Sequence, residues 1–461
     1  MKKVLLQKLL FVLVVCVGLC EVGLGSITTR IDGIIGKKAY AKVQFGVCVV
    51  RAEDGEVVYR RNANKAMVPA SNMKIVTSAA ALRYLGADHE YKTEAGLVGD
   101  KLIVTGSGDP LLGDKKTDSK YGRENGWVFA RIIEKLKERG VETIGDIVVD
   151  STAFDDERVG ANWPAAQLNR WFACEVSGIN YNGNCIDMVT KNVNGRVVVS
   201  IEPETDFVRI INKVKAVSSG KRGVGAYRQA GKPNELVVKG RCKKKEGPFE
   251  VAIERPAAFF GFLLAENLNR AGIETTGKLI ESTAGKKRKY VKLAEFVTPM
   301  SDCLARCNKD SFGLAAEAML KTIGGGSWAG GREAVGRYMA EIGVDRSEFV
   351  IDDGSGLSRV NRLSANAITK VLLDVYHGKN RQTFESSLSV GGVDGTIGKY
   401  FKESKYKGRI LGKTGYINNV RSFSGICKTD KGDYIFSILV NNANALPRRT
   451  INEMAKAICD D

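Results

Sequence analysis

Two short segments, Ser71-Asn72-Met73-Lys74 and Lys413-Thr414-Gly415, set the topology that this chain has to reach. A serine and a lysine three residues apart share one face of a helix. The residues that follow support that helix: Ile75, Ala79 and Leu82 fall on one side, Pro69 precedes it, and Gly86 ends it as a C-cap. Lys413-Thr414-Gly415 sits in a strand-like run from Arg409 to Ile417. If the two segments work together, a fold must bring residues hundreds of positions apart into one cleft.

The chemistry of the pair is acyl transfer through a serine ester, with lysine as the base. The chain has only two histidines, His89 and His377, so a serine–histidine triad has little to draw on. Lys74 must be neutral to take the Ser71 proton, which costs roughly 4–5 kcal/mol at pH 7 for an ordinary lysine. Burial and a second cation both lower that cost, and Lys413 is the candidate second cation. Ser71 also lies at the positive end of its helix. Lys413 and Thr414 can hold a substrate carboxylate. Gly415 lets a ligand backbone come close, and the N–H groups of Ser71 and Tyr416 would then form an oxyanion hole. Two other Ser-x-x-Lys segments, Ser218/Lys221 and Ser404/Lys407, lack an apolar helical face. By itself a Ser-x-x-Lys reads as a capping serine and a solvated lysine; the single Lys-Thr-Gly gives the Ser71 copy its meaning.

The flanking sequence frames this site. Residues 1–25 read as an export signal: Lys2, Lys3 and Lys8 precede an apolar run from Leu9 to Leu19, and Gly23-Leu24-Gly25 offers small residues for cleavage. The apolar run is short for a membrane span of about 20 residues. The net charge is +18; without the three lysines and one glutamate of residues 1–25 it is +16. Such a protein is drawn to anionic polymers or membrane surfaces, so peripheral association with membrane or cell wall is compatible with it. Nucleic acid is not expected, because the lysines are dispersed and the chain reads as exported. Runs such as Lys243-Lys244-Lys245 and Lys286-Lys287-Arg288 read as solvated surface. Of the eight cysteines beyond residue 25, Cys174 and Cys185 flank a Gly/Asn-rich loop and are the expected disulfide. Cys303 and Cys307 have no histidine or second cysteine pair nearby, so neither a metal nor an organic cofactor is implied.

The expected fold class is α+β. A hairpin (Val43 to Val50, Val57 to Arg61) and three C-terminal strands (Arg409 to Ile417, Arg421 to Lys428, Tyr434 to Asn441) make a five-stranded antiparallel sheet. Helices Leu314 to Ile323, Arg332 to Ile342 and Ser364 to His377 cover it, and Leu446 to Cys459 ends the chain. Residues 26–87 and 295–461 would form this domain. Residues 88–294 form an α+β insertion, with helices Trp127 to Arg139 and Pro256 to Arg270, a loop over Ser218 to Lys232, and a nested unit over about 170–250.

Taken together these segments resemble the serine penicillin-binding proteins and serine β-lactamases, which carry Ser-x-x-Lys, Ser-x-Asn and Lys-Thr-Gly in that order. The 236 residues between Lys74 and Ser311 resemble the long insertion of the class C low-molecular-mass members, the D-alanyl-D-alanine carboxypeptidase/endopeptidases. Gly106-Ser107-Gly108-Asp109-Pro110, Asp353-Gly354-Ser355-Gly356-Leu357-Ser358 and Gly392-Val393-Asp394-Gly395-Thr396 look like theirs as well. The resemblance implies a β-lactamase-like transpeptidase domain carrying an insertion. It implies a serine peptidase, periplasmic or otherwise exported, that hydrolyses D-Ala-D-Ala termini of peptidoglycan stem peptides and, by the same machinery, D-Ala cross-links, with β-lactams as covalent inhibitors. Ser71 would be the nucleophile, Lys74 the base and Ser311 a proton relay to the leaving amine. Lys413, Thr414, Gly415 and Tyr416 would bind substrate. One departure is plain: Gly313 stands where the family has the asparagine of Ser-x-Asn, and the nearest amide is Asn308, five residues before Gly313. That departure motivates an alternative, a weak or idle peptidoglycan-binding scaffold. A β-lactamase is a further alternative, against which stand the insertion and the want of an added carboxylate for deacylation.

Overall fold

The computed structural model describes residues 26–282, 290–444 and 446–461. The expected export signal, residues 1–25, lies outside the described residues, as does the whole second basic run, residues 286–288. Among the described residues no helix is long and apolar enough to cross a membrane.

The main sheet is antiparallel and runs, edge to edge, Ser389–Val390, Ile410–Ile417, Val420–Thr429, Gly432–Asn441, Gln44–Arg51, Val57–Arg61. It has six strands rather than the expected five. The added edge strand is two residues long, too short to leave a period in the sequence. Both faces are covered, so the central strands Gln44–Arg51 and Gly432–Asn441 carry long apolar stretches. Along Gly432–Asn441, Ile435 and Leu439 pack into one core with helices Met73–Leu85, Gly313–Ile323 and Ala365–His377. Phe436, Ile438 and Val440 pack into the other, against Ile27–Ile35 and Arg448–Cys459.

Every strand between Glu90 and Pro299 belongs to other sheets. A five-stranded mixed sheet runs Leu279–Ser282, Ile147–Asp150, Lys101–Gly106, Glu90–Val98, Val291–Pro299. Helices Trp127–Lys137 and Pro256–Arg270 share its apolar core. Two three-stranded sheets follow between Cys185 and Ala252. The stretch Ser218 to Lys232, expected as loop, contains strand Gly223–Gln229. Its glycines and charges hide a period that pairing with Lys232–Cys242 restores. The excursion leaves and returns at one place, where Met300 N–H donates to His89 C=O at 2.8 Å.

The expected Cys174–Cys185 disulfide is absent: both are buried free thiols, as are the other six described cysteines. Burial pushes the Cys174 thiol up to about 12 and that of Cys185 well above its ordinary value. Both sit in the apolar core as small hydrophobes.

What matters for function is how the Ser71 turn meets the sheet. Asn72 is fully buried; its amide donates to Lys413 C=O at 2.7 Å, and its oxygen accepts from Ser424 Oγ at 3.0 Å. Ser422 Oγ donates to Pro69 C=O at 2.7 Å. A Cβ at Gly415 would lie 2.1 Å from Ser422 Oγ and 3.0 Å from Ser71 N, so glycine alone permits this approach. Asn72→Ala leaves a buried carbonyl and hydroxyl without that amide. It is expected to cost about 2–4 kcal/mol in urea unfolding, and a loss below about 0.5 kcal/mol contradicts this account.

Candidate active site

Ser71 lies in a single 3-10 turn, Ala70–Asn72, that runs into helix Met73–Leu85. Ala70 has φ +48°, an unusual conformation for a residue with a Cβ. Across the cleft, Gly356 has φ +80°, and a Cβ there would lie 1.8 Å from Ala70 C=O. The Ser71 turn is thus clamped between strand Ile410–Ile417 and the 353–358 loop.

The four polar groups named from the sequence come together in two pairs. Lys74 Nζ is 3.4 Å from Ser71 Oγ and donates to Ser355 C=O at 2.7 Å. Lys413 Nζ donates to Ser311 Oγ and to its neighbour's carbonyl, Thr414 C=O, both at 2.8 Å. Lys74 and Lys413 are both buried, and neither has an ion pair among the described residues. Burial lowers the Lys74 ammonium below its ordinary range, opposed by the nearby Cys307, Glu317 and Asp353. Lys413 is driven well below its range, first by burial and then by repulsion from Lys74. Burial is the leading cause for both lysines, and the repulsion between them disfavours the doubly charged pair, as expected of a second cation.

Thr414 Oγ1 donates to Thr396 Oγ1 at 3.0 Å, which brings the Gly392–Thr396 segment to the cleft. Tyr416 is 67% exposed, with the Arg421 guanidinium 4.0 Å from its ring centroid. Ser311 sits between helices Met300–Lys309 and Gly313–Ile323 with φ +61°. Non-glycine residues held there store about 1–3 kcal/mol of strain, which gathers at functional sites.

The glycine at 313 has a structural counterpart. Asn308 does not stand in for the missing amide: its side chain donates to Ser387 Oγ at 2.9 Å and accepts from Ser78 Oγ at 3.3 Å. A Cβ at Gly313 would lie 3.1 Å from Phe172 C=O and 3.8 Å from Ser355 Cβ, so a side chain there needs the Phe172 carbonyl to give by a few tenths of an ångström. The acceptor for Lys74 is instead Ser355 C=O. Glu317, buried, fixes its direction by accepting Gly354 N–H at 2.9 Å, Ser355 N–H at 2.7 Å and the Trp328 indole N–H at 2.8 Å. Asp353 braces the same loop through Gly356 N–H, Ser358 N–H and the Trp163 indole. Burial, with Asp353 alongside, pushes Glu317 up to about 7. Sequence reading gives no role to Asn72, Thr396 or Glu317: the first two lie inside quoted segments and the third in a helix, and each reads as an ordinary polar residue.

Chemically, the arrangement offers a hydroxyl beside a desolvated amine, a second hydroxyl on a second desolvated amine, and an open strand edge between them. These are the parts for acyl transfer through a serine ester.

Two measurements test this geometry. Glu317→Gln places an amide where three N–H groups converge, so acylation by a β-lactam is expected to slow about tenfold as the Ser355 carbonyl loses its aim. Because a negative charge that supports protonated Lys74 is gone, the acidic limb of the acylation–pH profile moves to lower pH. An unmoved limb reduces Glu317 to scaffolding. Folded Glu317 near 7 lies above its ordinary 4.5, so its stabilising share is full below about pH 4.5 and lost as pH rises to about 7. The variant's stability should be flatter across that window. Ser311→Gly removes both hydroxyl and strain: stability rises by about 1 kcal/mol while acylation falls, and a loss of stability would show that Ser311 is not strained.

The chain matches the model of the D-Ala-D-Ala carboxypeptidase 3 (S13) family over residues 27–459. A D-alanyl-D-alanine carboxypeptidase of an Actinomadura species is 28% identical over 449 residues, spanning 90% of this chain and 81% of the relative. The D-alanyl-D-alanine carboxypeptidase DacB of Haemophilus influenzae is 24% identical over 417 residues, 85% of this chain and 83% of that one. Among solved structures, penicillin binding protein 4 of Haemophilus influenzae superposes with a TM-score of 0.78 at 21% identity, over 93% of this chain and 98% of its own. The same protein in complex with a β-lactam gives a TM-score of 0.74 at 19% identity, over 94% and 98%.

Proposed function

Because this chain belongs to the D-Ala-D-Ala carboxypeptidase 3 (S13) family, and is a serine-type D-Ala-D-Ala carboxypeptidase, we propose that Ser71 is its acylated nucleophile. In this reading Lys74 takes the hydroxyl proton, and Ser71 Oγ attacks the carbonyl of the penultimate D-Ala. The N–H groups of Ser71 and Tyr416 hold the oxyanion. Ser311, hydrogen-bonded to Lys413, passes a proton to the departing D-Ala nitrogen. Lys413 and Thr414, joined by Thr396, bind the terminal carboxylate, and Gly415 leaves room for the peptide. Water then frees the acyl group and restores Ser71.

The observation that carries this reading is the pairing of two desolvated lysines with two hydroxyls, Lys74 with Ser71 and Lys413 with Ser311. The Ser355 carbonyl bears on the alternative of an idle scaffold, because it supplies Lys74 with the acceptor that Gly313 cannot. The same machinery would cut D-Ala cross-links, which adds an endopeptidase activity and sensitivity to penicillins. The enzyme would act outside the cytoplasmic membrane, where its substrate lies, in keeping with the signal-like residues 1–25.

Mass spectrometry of the intact protein after penicillin exposure is expected to show one added drug mass, mapped to Ser71 and absent from Ser71→Ala. Release of D-Ala from a pentapeptide should fall about a thousandfold or more in the same variant. A drug adduct retained by Ser71→Ala would remove Ser71 from its role.

A further inference from the structure

Residues 209–246 carry twelve lysines and arginines against two glutamates, and one small sheet brings part of that charge into register. Strand Lys232–Cys242 is central, with Arg209–Ala216 parallel on one side and Gly223–Gln229 antiparallel on the other. Leu236, Val238 and Cys242 turn inward and are buried, so positions 237, 239 and 241 face outward. Pairing sets Lys213 beside Lys239 and Lys215 beside Arg241.

The result is a rectangle of four cations, about 5 Å across the strands and about 7 Å along them. All four are exposed, and none makes an ion pair among the described residues. Lys221, Arg222, Lys243 and Lys244 continue the charge at the same end of the sheet, where, among the described residues, the one carboxylate paired with it is Glu246, 3.9 Å from Arg222. Glu235 is taken up at the opposite end by Arg209 and Lys232. Like charges directly opposite one another destabilise a sheet, so the fold gains nothing from this arrangement. A ligand that supplies anions at matching intervals would.

We propose that this face docks a linear phosphodiester polyanion, specifically a polyol-phosphate polymer of the cell wall. A narrow stripe of cations suits phosphates strung along a chain. The one exposed aromatic on the face, Tyr227, has Lys239 Nζ 4.5 Å from its ring centroid, and a single ring gives no platform on which successive nucleobases could stack. The aliphatic side chains there, Ile211 and Val237, are half-buried and offer nothing long enough to enter a bilayer. The choice of a wall polymer over other polyanions rests on the peptidoglycan reading above.

The test compares the full chain with Lys213→Gln/Lys215→Gln/Lys239→Gln/Arg241→Gln, using purified poly(glycerol phosphate), vesicles containing phosphatidylglycerol, and duplex DNA as probes. Wild type is expected to bind the polymer most tightly, with log affinity falling linearly against log salt concentration. The quadruple variant should lose about tenfold or more in affinity while hydrolysing a soluble pentapeptide at the wild-type rate. That second readout separates failure of this surface from failure of the Ser71 assignment. A control that removes four cations elsewhere, Lys37→Gln/Lys38→Gln/Lys42→Gln/Lys65→Gln, should bind as wild type does. Equal loss in the control, unchanged binding in the quadruple variant, or tighter binding to vesicles or DNA than to the polymer would each overturn the proposal.

Discussion

The hydrogen bonds of one buried amide hold this candidate active site together. Asn72 sits between Ser71 and Lys74 in sequence and ties their turn to the backbone of Lys413 and the hydroxyl of Ser424. A buried amide whose donor and acceptor are both engaged fixes direction as well as distance. The consequence is that Ser71 is presented to one strand edge in one register. Gly415 then admits the approach that the amide enforces.

Around that junction the site uses burial as its main electrostatic tool. Two lysines without counter-ions among the described residues sit behind two serines, and their ammonium forms are disfavoured chiefly by loss of water. The carboxylates Glu317 and Asp353 stand off from the amines and grip the loop that carries Ser355 C=O. A carbonyl acceptor suits a lysine that must change protonation state, because neutral amine and ammonium can both donate to it. A carboxylate in direct contact would have held the proton in place.

The sequence disclosed the parts whose signals are local. Ser71 with Lys74, the helix ending at Gly86, the strand carrying Lys413 and the helix Pro256–Arg270 all follow from spacing, capping and periodicity. What it withheld depends on contacts between distant residues. Asn72 looks like any polar residue inside a motif until Lys413 lies beside it. Glu317 reads as one more helical glutamate until the Gly354 and Ser355 amides arrive. The strand Gly223–Gln229 carries too many glycines to announce itself and exists by pairing. Cys174 and Cys185 flank a loop as a disulfide would, yet the core claims each of them as a small apolar side chain.

The Phe172 carbonyl that crowds Gly313 joins the Trp171–Ala173 turn to the wall of the cleft, as does the stacking of Trp171 on Phe312 at 15° between ring planes. A side chain can enter position 313 only when the Phe172 carbonyl gives by a few tenths of an ångström. Changes at these two places are therefore coupled, so descendants of this sequence should gain the amide at 313 in step with an adjusted 171–173 turn.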